Sequence, residues 1–120
     1  MIAVGGKSMY FVYVVGRSDG LHKIGVTGHV LDRCEALSKL YPRHRPIRLV
    51  RSFDLGMDAP LIEKVAQWDM VSRGYAMQNM EWFDARGRTC TNAIRRAIRL
   101  IDEIGRDGWT RRRIKARSER

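Results

Sequence analysis

The apolar positions of this chain switch between strand and helix periods from one segment to the next. Met9–Val15 (MYFVYVV) is apolar, aromatic and β-branched without alternation, the composition of a strand buried on both faces. Gly16-Arg17-Ser18-Asp19-Gly20 reads as a hairpin turn, with Asp-Gly as its turn dipeptide. Leu21–Val26 follows as a second strand, antiparallel to the first. Thr27 is placed to cap a helix starting near His29, and Val30, Cys34, Leu37 and Tyr41 recur at helical spacing as its buried stripe. Pro42 ends that helix. Ile47–Phe53 alternates and predicts a third strand. Asp58 and Pro60 are helix-start signals, with Leu61, Ile62, Val65, Ala66 and Trp68 expected on the core face and Gly74 as the stop. Met77–Phe83 is open between strand and loop. Thr89 or Thr91 starts a last helix, in which Ile94, Ala97, Ile98 and Ile101 face inward and Arg95, Arg96 and Arg99 outward.

The predicted order is ββαβα(β)α, an α+β fold with a small central sheet covered by helices. A chain of 120 residues accommodates one such domain. Residues 1–8 read as an N-terminal extension, 9–104 as the folded domain and 105–120 as a basic tail. No apolar run reaches the ~18 residues that span a bilayer, and no charged segment leads an apolar one at the N-terminus. A soluble, cytoplasmic protein without membrane contact is expected. Cys34 and Cys90 make no disulfide framework, and no Cys/His spacing suggests zinc.

Charge narrows the function. Lys and Arg number 23 against 13 Asp and Glu, a net charge of +10. Such a surplus on a small surface attracts polyanions through long-range field and counterion release. Half of it, +5, lies in the last fifteen residues, where Arg111, Arg112, Arg113 and Lys115 crowd together. These four, with Arg95 and Arg99 on the last helix, are the candidate nucleic-acid contacts. Trp109 beside them could stack on a base or anchor the tail. His22, His29 and His44 form no metal cluster by spacing and read as structural. Trp82 and Phe83 read as core plugs.

Several segments recur together in a recognisable order: Val12-Tyr13-Val14-Val15, then His22-Lys23-Ile24-Gly25-Val26-Thr27, then Arg33 on the following helix, Glu63 on the next, and Glu81-Trp82-Phe83 near the end. Over about residues 10–97 the chain resembles the GIY-YIG nuclease superfamily, in the branch whose second motif reads Lys-Ile-Gly and whose domain closes with Glu-Trp-Phe. The resemblance implies a three-stranded antiparallel sheet flanked by helices. It also implies a divalent-metal-dependent endonuclease that hydrolyses phosphodiester bonds with one metal ion, with DNA as the expected substrate.

By the same resemblance Glu63 holds Mg²⁺ or Mn²⁺, and Arg33 binds the scissile phosphate with its forked guanidinium. Tyr13 is the active-site tyrosine, a proposed general base. Lys23 assists it, orienting water or contacting the phosphate. A free phenol has a pKa of about 10, so a neighbouring cation is expected to lower it. No organic cofactor is implied. Two positions depart from the pattern: where relatives often carry a histidine four residues after the glutamate there is Gln67, and four residues after Arg33 there is Leu37. A late asparagine holds the site in many relatives; Asn79 and Asn92 are available and neither is assigned. The departures keep open an alternative, a weakly active or inactive nucleic-acid-binding module on the same scaffold. Docking of the basic tail on an acidic protein is the third reading.

Overall fold

The computed structural model describes residues 10–79 and 81–118, with side chains described through residue 105. Strand β1 (Phe11–Gly16) is apolar because it is an inner strand of the sheet, covered on both faces. It pairs antiparallel with β2 (His22–Thr27) on one side and with β3 (Arg48–Asp54) on the other. The β1–β2 turn closes through Gly20, whose φ of 91° is left-handed, as its place after Asp19 predicts. The β1–β3 register slips between Val14 and Val15, where Val50 is the extra residue of a bulge.

The sheet has five strands, two more than expected. Met77–Gln78 (β4) and Trp82–Phe83 (β5) form a small hairpin that joins β2 through His22 and Phe83, giving the order β3-β1-β2-β5-β4. Asn79 turns that hairpin at a φ of 53°, a conformation Asn adopts more readily than most residues. Two-residue strands carry no readable period, so the sequence leaves this segment open between strand and loop. The α+β class itself is as read from the sequence.

Both faces of the sheet are covered. Val12, Val14 and Ile24 point to helices α2 (Ala59–Ser72) and α3 (Gly87–Ser118). Those helices meet through Ala59, Ala66, Ala93 and Ala97, small side chains that let two helices approach closely, with Ile62, Met70 and Ile94 filling the remainder. Tyr13 and Val15 point the other way, to Leu37 of α1 (Val30–Leu40) and to Leu21, Ile47 and Trp82. Among the described residues no helix is long and apolar enough to cross a membrane.

Some helix expectations need correcting. Trp68 and Leu61 are 68% and 51% exposed, so neither belongs to the core face of α2; that face is Ala59, Ile62, Ala66 and Met70. Arg96 does not face out. It turns into the α2–α3 seam, where its guanidinium donates to Asp69 Oδ2 at 2.6 Å, and Arg73 binds the same carboxylate. Thr27 accepts the His29 amide at 3.1 Å, a turn leading into α1, while the N-cap position itself is His29. Helix α3 starts at Gly87, before either threonine, and its backbone runs without a break through Gly105 to Ser118. The N-terminal extension and the side chains of Trp109, Arg111, Arg112, Arg113 and Lys115 lie outside the described residues.

Candidate active site

Tyr13 stands at the centre of β1, directly opposite Gly25 of β2. Its ring lies flat across the glycine: a Cβ added at Gly25 would fall on Cζ and the hydroxyl of Tyr13. The glycine of the Lys-Ile-Gly motif is therefore the seat of the tyrosine. Two residues back, on the same face, stands Lys23. His22 points to the opposite face, where Nδ1 lies 2.7 Å from the Ala85 carbonyl oxygen, which fixes it as a structural histidine.

Lys23 is held from the far side. Its Nζ donates to Glu81 Oε1 at 3.1 Å, and the Tyr41 hydroxyl donates to Glu81 Oε2 at 2.7 Å. The two donors, Tyr41 first and then Lys23, hold the Glu81 carboxyl below the usual range. Tyr41 in turn packs edge-on against the buried Trp82 ring, with centroids 5.3 Å apart, and the Arg17 guanidinium sits 5.0 Å from the centroid of the same ring. The Glu-Trp-Phe motif thus supplies a tether in its first residue and a buried anchor in its second. Glu81 was legible as a motif position but not as a tether. Nothing marked Tyr41 beyond its place on the apolar stripe of α1.

Glu63 reaches this pocket from α2, a helix packed on the other face. It can do so because α2 crosses the outer edge of β2, which β5 pairs only at His22. Gln67, one turn further along, donates its amide to the Ile24 carbonyl at 2.9 Å, and the Val26 backbone hydrogen-bonds toward Glu63. The helix therefore covers an otherwise open strand edge with two side chains, and the carboxylate is left at the boundary between the faces. Burial pushes the Glu63 pKa up, opposed by Lys23 and Lys64. Among the described residues Glu63 has no ion-pair partner, so its oxygens keep acceptor capacity. Gln67, at the relatives' histidine position, is occupied by the strand edge.

Arg33 lies in the first turn of α1, exposed, and no carboxylate pairs with it among the described residues; its neighbour Glu35 pairs with Lys39 at 3.4 Å. Its field falls on Tyr13. Burial pushes the Tyr13 pKa up to about 12; Arg33 pulls it down, and Glu63, Cys34 and Glu81 add to the rise. Arg33 and Glu63 thus act electrostatically on Tyr13, and Lys23 acts on Glu63, across two strands and two helices. The expected lowering of the phenol by a cation is outweighed: Arg33 rather than Lys23 supplies the pull, and burial of a side chain only 2% exposed dominates.

That shift has a measurable consequence. In the unfolded chain Tyr13 ionises near pH 10, in the folded chain near 12. Between these values the unfolded state has released a proton that the folded state keeps, so stability falls as pH rises, by up to roughly 2–3 kcal/mol for this side chain. Chemical denaturation across pH 9–12 should show the fall beginning near pH 9, where the buried Cys90 thiol, also pushed up to about 12, adds its own loss. Tyr13→Phe should remove the part above pH 10. An unchanged slope there would place the phenol in water.

Arg95 and Arg99 are exposed on α3, on the opposite face of the sheet from Tyr13. No three His, Cys, Asp or Glu side chains cluster as a metal site among the described residues.

A family model for the T5orf172 domain matches residues 10–102, and the chain belongs to that family. The matched stretch contains Tyr13, Lys23, Arg33, Glu63 and Glu81. No curated protein and no solved structure matches the chain.

Proposed function

We propose that this protein is a small endonuclease of the GIY-YIG type that hydrolyses nucleic-acid phosphodiester bonds, DNA first among its substrates. The observation that carries the reading is that the Tyr13 hydroxyl lies within the electrostatic reach of both Arg33 and Glu63, which come from two helices on opposite faces of one sheet. Membership of the T5orf172 family, whose domain occurs in some nuclease-like proteins, points the same way.

The donor set suits one hard divalent ion. Glu63 offers a carboxylate without an ion-pair partner among the described residues, and Mg²⁺ or Mn²⁺ binds through one or two carboxylates while keeping several waters. Bound there, the ion would lower the pKa of a coordinated water and polarise a phosphate oxygen. The remaining chemistry belongs to the chain. Arg33 would take a non-bridging phosphate oxygen with its paired N–H groups and oppose the charge that builds in the transition state. Tyr13, protonated at neutral pH, would donate a hydrogen bond to the phosphate or to the attacking water. As a base it would first need further positive charge beside it. Arg33 supplies part of that charge, and Lys23, braced by Glu81, would contact the phosphate or orient the water.

The test is nicking of supercoiled plasmid with Mg²⁺ or Mn²⁺. Cleavage should appear with metal and stop with chelator. The binding-module reading draws on Gln67, whose amide is tied to the Ile24 carbonyl where relatives carry a histidine. It requires salt-dependent binding with no cleavage, and affinity that survives Glu63→Ala.

A further inference from the structure

The molecule carries a second charged feature, remote from this pocket. Along α3, Arg88, Asn92, Arg95 and Arg99 recur at intervals of four, three and four residues, a single helical stripe. The three arginines are exposed, and none has a carboxylate partner among the described residues. Beside the stripe runs β3, the edge strand. Its Arg51 lies on the α3 side of the sheet, with the guanidinium 5.4 Å from the Phe53 ring centroid. Two surface hollows lie here. One is lined by Arg51, Arg88 and Thr91, the other by Arg96, Ile98 and Arg99, and Asn92 and Arg95 line both. Joined at Asn92 and Arg95, they make one open groove that starts between α3 and the β3 edge and runs on along α3, with arginines along its length.

We infer that this groove is a second binding site for a duplex phosphate backbone, separate from the candidate active site, so that one chain can hold two nucleic-acid segments. The inference rests on the nucleic-acid reading above. Charge selects the occupant, since unpaired guanidiniums favour phosphate. Length fits as well: Arg88 to Arg99 spans ~16 Å of helix, and successive phosphates of one strand rise ~3.4 Å along a duplex. Separation makes the site a second one. Tyr13 faces α1, whereas α3 packs on Val12 and Val14, which point the other way. Glu63 stands at the β2 edge and Arg51 on the β3 edge strand. The pocket and the groove therefore open at different strands of the sheet, and each would seat its own duplex.

The experiment is a bridging assay with the full chain. A bead-bound duplex is incubated with protein, washed, and offered a second, fluorescent duplex of about 24 base pairs. Wild type should capture the second duplex, and capture should fall steeply with salt. The triple variant R88Q/R95Q/R99Q should still bind the bead duplex but capture at least ~10-fold less, because about three phosphate contacts are lost. R88K/R95K/R99K, which keeps the charge, should restore most of it. Capture by the glutamine variant at the wild-type level, or no capture by wild type, overturns the inference; the former would mean that bridging comes from elsewhere, through the basic tail or through dimers joined away from the groove. Capture should persist in Glu63→Ala. Nicking without capture therefore sinks only the second site, and capture without nicking sinks only the hydrolase.

Discussion

Arg33→Ala should slow metal-dependent plasmid nicking by at least ~10²-fold while leaving stability within ~0.5 kcal/mol of wild type. Both halves follow from its surroundings. The side chain is exposed and without a carboxylate partner among the described residues, so the folded state loses no described ion pair when it goes. The transition state loses the guanidinium whose field falls on the Tyr13 hydroxyl. Arg33→Lys should recover only part of the rate, because an ammonium supplies the charge without the fork. Glu63→Gln is the companion experiment. Glutamine keeps the shape and an acceptor for the Val26 backbone but removes the charge a metal requires, and it should cost a similar factor. Thermal melts of the same preparations separate lost chemistry from lost fold. Wild-type nicking in both Arg33→Ala and Glu63→Gln rejects the mechanism.

The sequence made the frame of this molecule readable where periods are long. The β1–β2 hairpin, the third strand and the three helices follow from uninterrupted apolar runs, a turn dipeptide and stop signals. It was silent where tertiary contact decides. Trp68 lies on α2 among residues of suitable hydrophobicity, but the buried line of that helix is Ala59–Ile62–Ala66–Met70, and Trp68 falls off it. Arg96 sits between two outward arginines, yet Asp69 across the helix seam draws it inward. The site divides in the same way. Tyr13 and Lys23 share one sheet face by simple alternation, a relation any reader of the strands could draw. Glu63 belongs to a helix on the other face, and only the crossing of α2 over the edge of β2 brings its carboxylate round. Local period contains no such crossing, so the glutamate was known by resemblance alone. Glu81 lay in view as part of Glu-Trp-Phe, but its partner Tyr41 is forty residues away.

Gly25→Ala tests the piece of the site that the backbone itself builds. Glycine in a β-strand is ordinarily a weakness, and alanine at an unstrained position stabilises by ~0.4–1 kcal/mol through the unfolded state. Here the added methyl meets Cζ and the hydroxyl of Tyr13. The ring cannot step aside freely, because Val15, Leu37, Ile47 and Trp82 pack in the same cluster. Overpacking of this kind costs ~1–3 kcal/mol, so the clash should win. At ~4–8 °C per kcal/mol for a domain of this size, a cost of ~2 kcal/mol corresponds to a Tm about 8–16 °C lower. The displaced phenol should take most of the nicking activity with it. A double-mutant cycle isolates the cause. Tyr13→Leu removes the atoms that collide, and in that background Gly25→Ala should be neutral or slightly stabilising, giving a coupling of ~2 kcal/mol. A Gly25→Ala penalty of equal size in both backgrounds would mean that the glycine serves the strand and not the tyrosine, and that the ring needs no such seat.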